Sequence, residues 1–324
     1  MILTNKNDNE NTDLLRNNTS EYPQKIGNRP LVTAVLVCWN HEHFVRASVL
    51  SVLQQTYSNI QLIVFDNGST DGSRRELDLL RKQHEFTLIY QENIGLVRTL
   101  NKGLRMAKGK YFSALSTDDI WLEDKIARQT SYFEKHHDVH MISGFIRAIN
   151  KDGENIPFHW NPKRTGIMDF ADLMTQGNTV IGPTVMCRTE TLLEVGGYDE
   201  SIKMEDYTLA LQFAQSGYGV VVLNDIFTLY RRHESNWTSN SMNLELLELG
   251  HKYRHLPEYP LFLRCNIPRI FRNLVAEGHK KEALKLLLTE PIAWTWDDVG
   301  VGMIMILIPT FLMRLRRGKK HKIN

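Results

Sequence analysis

Three short stretches hold the side chains best suited to chemistry. The apolar run "IQLIVFDNGSTDGS" ends on Asp66 and a knot of turn formers, "YFSALSTDD" ends on Asp118 and Asp119, and "KMEDYTLAL" carries Glu205 and Asp206. Paired carboxylates at a strand end suit a hard divalent cation, Mn2+ or Mg2+, which takes oxygen ligands and can bridge to phosphate oxygens. A further carboxylate can take a proton from a hydroxyl. Each stretch also has a plainer reading. Asp119 could cap a helix beginning at "IWLEDK", "DNGSTDG" has the chemistry of a surface turn, and Glu205 and Asp206 suit the first turn of a helix. An EF-hand is disfavoured because Gly68 stands where that loop needs an oxygen side chain. His41 and His43 in "HEH" lack the HExxH spacing, and with His136 and His137 they read as surface residues.

The elements that carry these residues follow from hydrophobic patterning. "LVTAVLVCW" is a continuous apolar, β-rich run, as expected of a strand buried on both faces of a parallel sheet. In "EHFVRASVLSVLQQ", Val45, Val49, Val52 and Leu53 form one helical stripe. Strand and helix then alternate through "SRRELDLLRKQ", "FTLIY", "LVRTLNKGLRMA" and "KYFSALS". A helix near "IWLEDKIARQTSYFEK" and a strand at "VHMISGF" come next. This alternation predicts an open α/β sheet, whose ligands bind beyond the carboxyl ends of the strands, so Asp66 and Asp118 should share one mouth. Past residue 150 the pattern loosens. A helix is expected over about Tyr207–Gln215, with a strand at "GVVVL" after it, and residues 241–298 read as a helical appendage in which "AEGHKKEALKLLLTEP" is half a tetratricopeptide-like hairpin.

Composition narrows the classes. The 324 residues suffice for one large domain with an appendage, and a net charge of +2 argues against a nucleic-acid partner. Three widely spaced cysteines give neither a zinc motif nor a disulfide framework, which suits a reducing cytoplasm. Residues 1–28 are polar and Asn-rich, as expected of a disordered leader, and carry no signal-peptide pattern. The final stretch, residues 299–324, joins a short apolar segment broken by Pro309 to six Arg and Lys residues. It is too short to span a bilayer, which needs about 20 apolar residues. It should lie on an anionic membrane surface, which would make the protein peripheral on the inner face of the cell membrane.

Taken together and in order, "VTAVLVCWNHEHFVRASVLSVLQQTYSNIQLIVFDNGSTDGS", "ENIGLVRTLNKGLRMAKGKYFSALSTDDIWLEDKIARQ" and "GPTVMCRTETLLEVGGYDESIKMEDYTLALQFAQSGYGV" resemble the family 2 glycosyltransferases. The resemblance implies a GT-A fold over residues 29–240, an open mixed sheet with flanking helices. It also implies a nucleotide-sugar donor, a divalent cation and inversion at the anomeric carbon. By the same resemblance Asp119 is the principal metal ligand, and Asp118 shares the metal or contacts the ribose. Asp66 and Asn67 meet the base, Asn93 and Gly95 wrap the donor, Asp206 is the catalytic base, and Glu205 assists it. His233 completes the metal shell or touches the diphosphate, and Arg231 and Arg232 neutralise phosphate. The chain departs from the commoner pattern at Ser116, Asn67 and Leu100, where relatives carry an acid, an acid and an arginine. UDP is the expected nucleotide and dTDP the second choice. The expected acceptor is a glycan or lipid-linked oligosaccharide of a bacterial surface polymer such as O-antigen, capsule or lipooligosaccharide. A catalytically silent glycan-binding scaffold and a nucleotidyltransferase are the alternatives.

Overall fold

The computed structural model describes residues 29–157, 161–162, 164–176, 179–233 and 241–289. The expected leader and the membrane-surface tail lie outside the described residues.

The amino-terminal half follows its pattern closely. Strands β1 (Val32–Cys38), β2 (Ile60–Asn67), β3 (Thr87–Gln91) and β4 (Tyr111–Ser116) alternate with helices α1 (Val45–Leu53), α2 (Ser73–Gln83) and α3 (Leu96–Met106). β1 lies between β2 and β4, and all these pairings are parallel. Every residue of β1 is buried, and its side chains alternate between two apolar clusters. Val35 and Val37 join the cluster under α3, while Val32, Ala34, Leu36 and Cys38 join the one under α1 and α2. Period-two alternation sends neighbouring side chains to opposite faces, so a strand buried on both faces is apolar at nearly every position, and the buried Thr33 hydroxyl is satisfied by donating to Gln61 Oε1 at 2.7 Å. Each fully buried Val or Leu contributes about 1.5–3 kcal/mol. On α1, Val45, Val49 and Val52 are buried and Leu53 packs against the same cluster, as the stripe predicts. Trp39 departs from the expected buried run: it lies past the end of β1 and is 51% exposed.

The sheet becomes mixed beyond β4. Its order is β3-β2-β1-β4-β8-β6-β9-β5, with β7 also pairing with β9. β6 (Val139–Ile149) and β9 (Gly219–Arg231) are long and parallel, whereas β5 (Ile120–Trp121), β7 (Gly166–Met168) and β8 (Met186–Arg188) run antiparallel to their partners. Two expectations change here. The segment at "IW" is strand β5, and the helix, α4 (Lys125–Lys135), begins later with Asp124 at its N-cap, so Asp119 is not a helix cap. Trp121 is almost fully buried, donates its indole N–H to the Pro183 carbonyl at 2.9 Å, and pairs across to Thr228, which draws this segment into the sheet. Second, β9 runs well past "GVVVL" to Arg231 and delivers that residue to the strand-end mouth.

Helices α5 (Phe170–Gln176), α6 (Thr189–Glu194) and α7 (Glu205–Gln215) cover this half. The carboxyl-terminal segment forms three helices, α8 (Ser241–Lys252), α9 (Tyr259–Glu277) and α10 (Lys280–Thr289). Phe262, Ile267, Ile270 and Leu274 of α9 belong to the same cluster as Val35 and Leu209, and Asn266 donates to the Met174 carbonyl at 3.1 Å. These helices therefore share the core of the sheet domain. No helix among the described residues is long and apolar enough to cross a membrane.

Candidate active site

The two strand-end acids meet different surroundings. Asp66 is fully buried at the end of β2: Oδ1 accepts the Ser69 amide at 3.2 Å, and Oδ2 accepts Arg74 Nε at 2.6 Å. Its carboxylate thus closes the turn and holds Arg74, whose half-exposed guanidinium lies 5.4 Å from the Tyr90 ring. Arg74 and Tyr90 line a shallow groove with Gly68, Thr70, Gln91 and Asn93.

Asn67 is likewise occupied internally. Its carbonyl oxygen accepts from Gln91 Nε2, the Ile94 amide and the Thr99 hydroxyl, and its amide nitrogen donates to Asn93 Oδ1. Asn93 Oδ1 also accepts the Gly95 amide at 2.9 Å. Asn67, Asn93 and Gly95 are therefore brought together, but as a clamp that sets the start of α3, and the Asn67 amide edge is not presented to a base. Gly68 makes the clamp possible: its φ is 82°, and a Cβ there would meet the Asn93 nitrogen at 2.7 Å.

At the end of β4 the pattern differs. Asp118 Oδ2 lies 3.2 Å from His233 Nε2, while the buried Asp118 Oδ1 has no hydrogen-bond partner. Burial would raise the Asp118 pKa, but the hydrogen bond from His233 and the nearby His41 outweigh it and hold the carboxyl below its usual value. His41 completes the group: one ligand atom from each of His41, Asp118 and His233 lies within 4.8 Å of the others. A buried acceptor without a donor, beside two imidazoles, fits a bound cation. Asp119, the expected principal ligand, is not part of this group. Its Oδ1 accepts the Arg231 backbone N–H at 2.8 Å, and burial together with repulsion from Asp118 pushes its pKa well above normal.

Two expectations about basic residues are corrected. His41 is not a surface residue. It is partly buried, its Nδ1 lies 2.9 Å from the Thr117 hydroxyl, and burial lowers its pKa, whereas His43, His136 and His137 are exposed as expected. Arg231 is only 4% exposed, and its guanidinium donates to the carbonyls of Asp118, Asn150 and Lys151. It ties the mouth together and does not offer itself to phosphate.

The second acidic pair, Glu205 and Asp206, shares a pocket with Asp119. Asp119, Ser116, Gly182, Pro183, Glu205 and Asp206 line one pocket. Asp206 Oδ2 accepts the Gly182 amide at 2.9 Å and Oδ1 accepts the Tyr207 amide at 2.7 Å, which fixes the carboxylate at the start of α7. Asp206 therefore stands in the first turn of α7, as the helix-start reading expects, and also lines the pocket. Burial, then the neighbouring Asp206, push the Glu205 pKa up. The turn before α7 is pinned from α3: Asn101 donates to the Tyr198 carbonyl and accepts the Tyr198 amide.

Sequence reasoning missed His41 and Arg74. For His41 no sequence signal existed, since Asp118 and His233 are remote along the chain.

Residues 33–196, half of the chain, match the model of a family described as Glycosyl transferase family 2. A curated relative from Rickettsia typhi, "Uncharacterized glycosyltransferase RT0329", is 29% identical over 224 residues, 66% of this chain and 68% of that protein. The Escherichia coli UDP-Glc:alpha-D-GlcNAc-diphosphoundecaprenol beta-1,3-glucosyltransferase WfaP is 28% identical over 216 residues, 65% and 80% of the two chains. Among solved structures, the mannosyltransferase PcManGT from Pyrobaculum calidifontis, in complex with GDP-Man and Mn2+, aligns with a TM-score of 0.54 at 18% identity over 88% of each chain. At that identity the likeness is one of fold. Longer relatives are covered in part: the chain spans 43% of the Staphylococcus aureus TarS chain and 27% of a Rickettsia bellii glycosyltransferase.

Proposed function

The chain belongs to glycosyl transferase family 2, and on that premise we propose that it is an inverting, cation-dependent enzyme that moves a sugar from a UDP-linked donor to a hydroxyl of a lipid-linked glycan. The open mixed sheet with flanking helices is the GT-A architecture of nucleotide-sugar enzymes. The observation that carries the reading is the single pocket into which both the strand-end Asp119 and the fixed pair Glu205 and Asp206 open.

In this reading Asp206 takes the proton of the acceptor hydroxyl as that oxygen attacks the anomeric carbon and the bond to the nucleoside diphosphate breaks. An acceptor hydroxyl is a poor nucleophile at neutral pH, so a positioned base is required. The Gly182 amide and the start of α7 hold the Asp206 carboxyl in place. Asp118 and His233 would hold the cation, which when bound neutralises the charge of the leaving diphosphate. Ligation thus passes from Asp119 to Asp118, whose free oxygen is the better donor. The Arg74–Tyr90 shelf offers a stacking face for a base, with Asp66 acting through Arg74. The lipid-linked acceptor is supported by the similarity to the glucosyltransferase WfaP, whose acceptor is a diphosphoundecaprenol-linked sugar, and by the apolar, basic segment 299–324, which would seat the enzyme on the inner membrane surface.

The test combines binding and transfer. Thermal shift with UDP, dTDP and GDP, each with and without Mn2+, should show a cation-dependent shift with UDP that is lost in Asp118→Asn and kept in Asp206→Asn. Transfer to a lipid-diphosphate-linked sugar should be lost in both. No shift with any nucleotide would sink the proposal.

A further inference from the structure

We propose that His41 is a third ligand to the donor's cation, making the site a two-histidine, one-carboxylate set that prefers Mn2+ or Co2+ to Mg2+. The inference rests on the reading above that a cation holds the donor, and concerns which ion and which residues.

The geometry comes first. Ligands about 2.1 Å from one ion stand roughly 3–4 Å apart, and the ligand atoms of His41, Asp118 and His233 all lie within 4.8 Å of one another. A small contraction would close them on a cation. Asp118 Oδ1, buried and without a hydrogen-bond partner, is the acceptor already waiting there. The His41 ring is oriented by the Thr117 hydroxyl on Nδ1, which leaves its second nitrogen to bind. The Phe44 ring lies 6.3 Å from His41 and 5.1 Å from His233, an apolar wall beside both imidazoles.

The loop that presents His41 is held as a binding loop should be. Asn40 adopts φ 56°, a left-handed conformation that asparagine tolerates better than most residues. Its amide donates to Ser69 Oγ at 3.0 Å, and its side-chain oxygen accepts the Thr70 amide at 2.8 Å. The His41 amide donates to Ser73 Oγ at 2.9 Å, the Glu42 amide to Asp71 Oδ2 at 3.0 Å, and the Gly72 amide to Glu42 Oε2 at 2.6 Å. The "DNGSTDGS" turn thus fixes residues 40–42 from the side, and its polar side chains have a task beyond turning the chain.

The chemistry of the set gives the selectivity. Imidazole is a poor ligand for Mg2+, which prefers oxygen and keeps its waters, and a good one for first-row transition ions. With two imidazoles to one carboxylate, the set offers more nitrogen than oxygen.

The experiment uses the full chain, stripped by chelator, as wild type, His41→Ala and His41→Asp. Each is titrated with Mn2+, Co2+ and Mg2+ alone and with UDP, by calorimetry, and nitrogen ligands of bound Mn2+ are counted by pulsed electron spin resonance. Wild type should favour Mn2+ over Mg2+ by about tenfold or more and show two nitrogens. His41→Ala should weaken Mn2+ by about tenfold and show one, and His41→Asp should recover binding with the preference shifted toward Mg2+. If His41→Ala does not fold, the shift in His41→Asp decides. Wild-type Mn2+ affinity and two nitrogens in His41→Ala, or an unchanged ion preference in His41→Asp, would overturn the role of His41 while leaving the cation site standing. Failure of wild type to bind any of the ions, with or without UDP, would overturn both.

Discussion

Asp66 lies at the carboxyl end of β2 and Asp118 just past that of β4, the two parallel strands that flank β1, yet their surroundings have made them different devices. Asp66 has both oxygens occupied, by the Ser69 amide and by Arg74. Asp118 has one oxygen against His233 and one with no hydrogen-bond partner. A strand-end carboxylate is therefore not a site by position alone. At these two strand ends, what marks a cation site is the acceptor capacity that the fold leaves unmet, because an unmet buried acceptor is costly unless a ligand meets it.

The strongest way to break this contrast is to neutralise the two acids in turn. Asp118→Asn should lower transfer by about a thousandfold while the melting temperature without cation moves little, as followed by activity and calorimetry. Wild-type activity in this variant would remove the contrast. Asp66→Ala should act mainly on stability, lowering it by about 2 kcal/mol through the stranded Ser69 amide and the released Arg74, with transfer falling less than in Asp118→Asn as the Arg74–Tyr90 shelf loosens. Urea unfolding measures it.

A smaller change sharpens the comparison within the β2 end. Asn67→Asp restores the acid of the commoner pattern but removes the donor to Asn93 and sets two acceptors against each other. It should cost about 1 kcal/mol and increase hydrogen exchange at residues 93–95. A separate, pH-dependent effect belongs to Glu205, whose raised pKa means that the folded state holds a proton that the unfolded state releases earlier. Stability should therefore fall as pH rises from the ordinary carboxylate range to the raised value. Glu205→Gln should flatten that slope and raise the melting temperature at neutral pH. An identical slope in the variant would mean that the burial of Glu205 is relieved some other way.

Much of this was legible before the fold was known. The runs of β1, β2 and β4 and the stripe of α1 announced themselves because a strand buried on both faces is apolar at nearly every position and an amphipathic helix must repeat its apolar residues. The segment "IW" was misread because two residues carry no period: only pairing with β9 and the seat of Trp121 make it a strand. Arg231 looked like a phosphate ligand because a sequence shows a charge but not the carbonyls that surround it.

By itself the sequence determined the strand and helix alternation of the amino-terminal half, that the carboxyl ends of its strands carry acids, and, through the ordered motifs, the family. These are properties of local pattern, set by the periods of strand and helix. The tertiary structure alone decided which acid is left unmet, because that depends on partners far away in the chain. Asp66 is tied to Arg74 only eight residues on, whereas His41 and His233 reach Asp118 from elements that the sheet order, and nothing in their spacing, brings to one place.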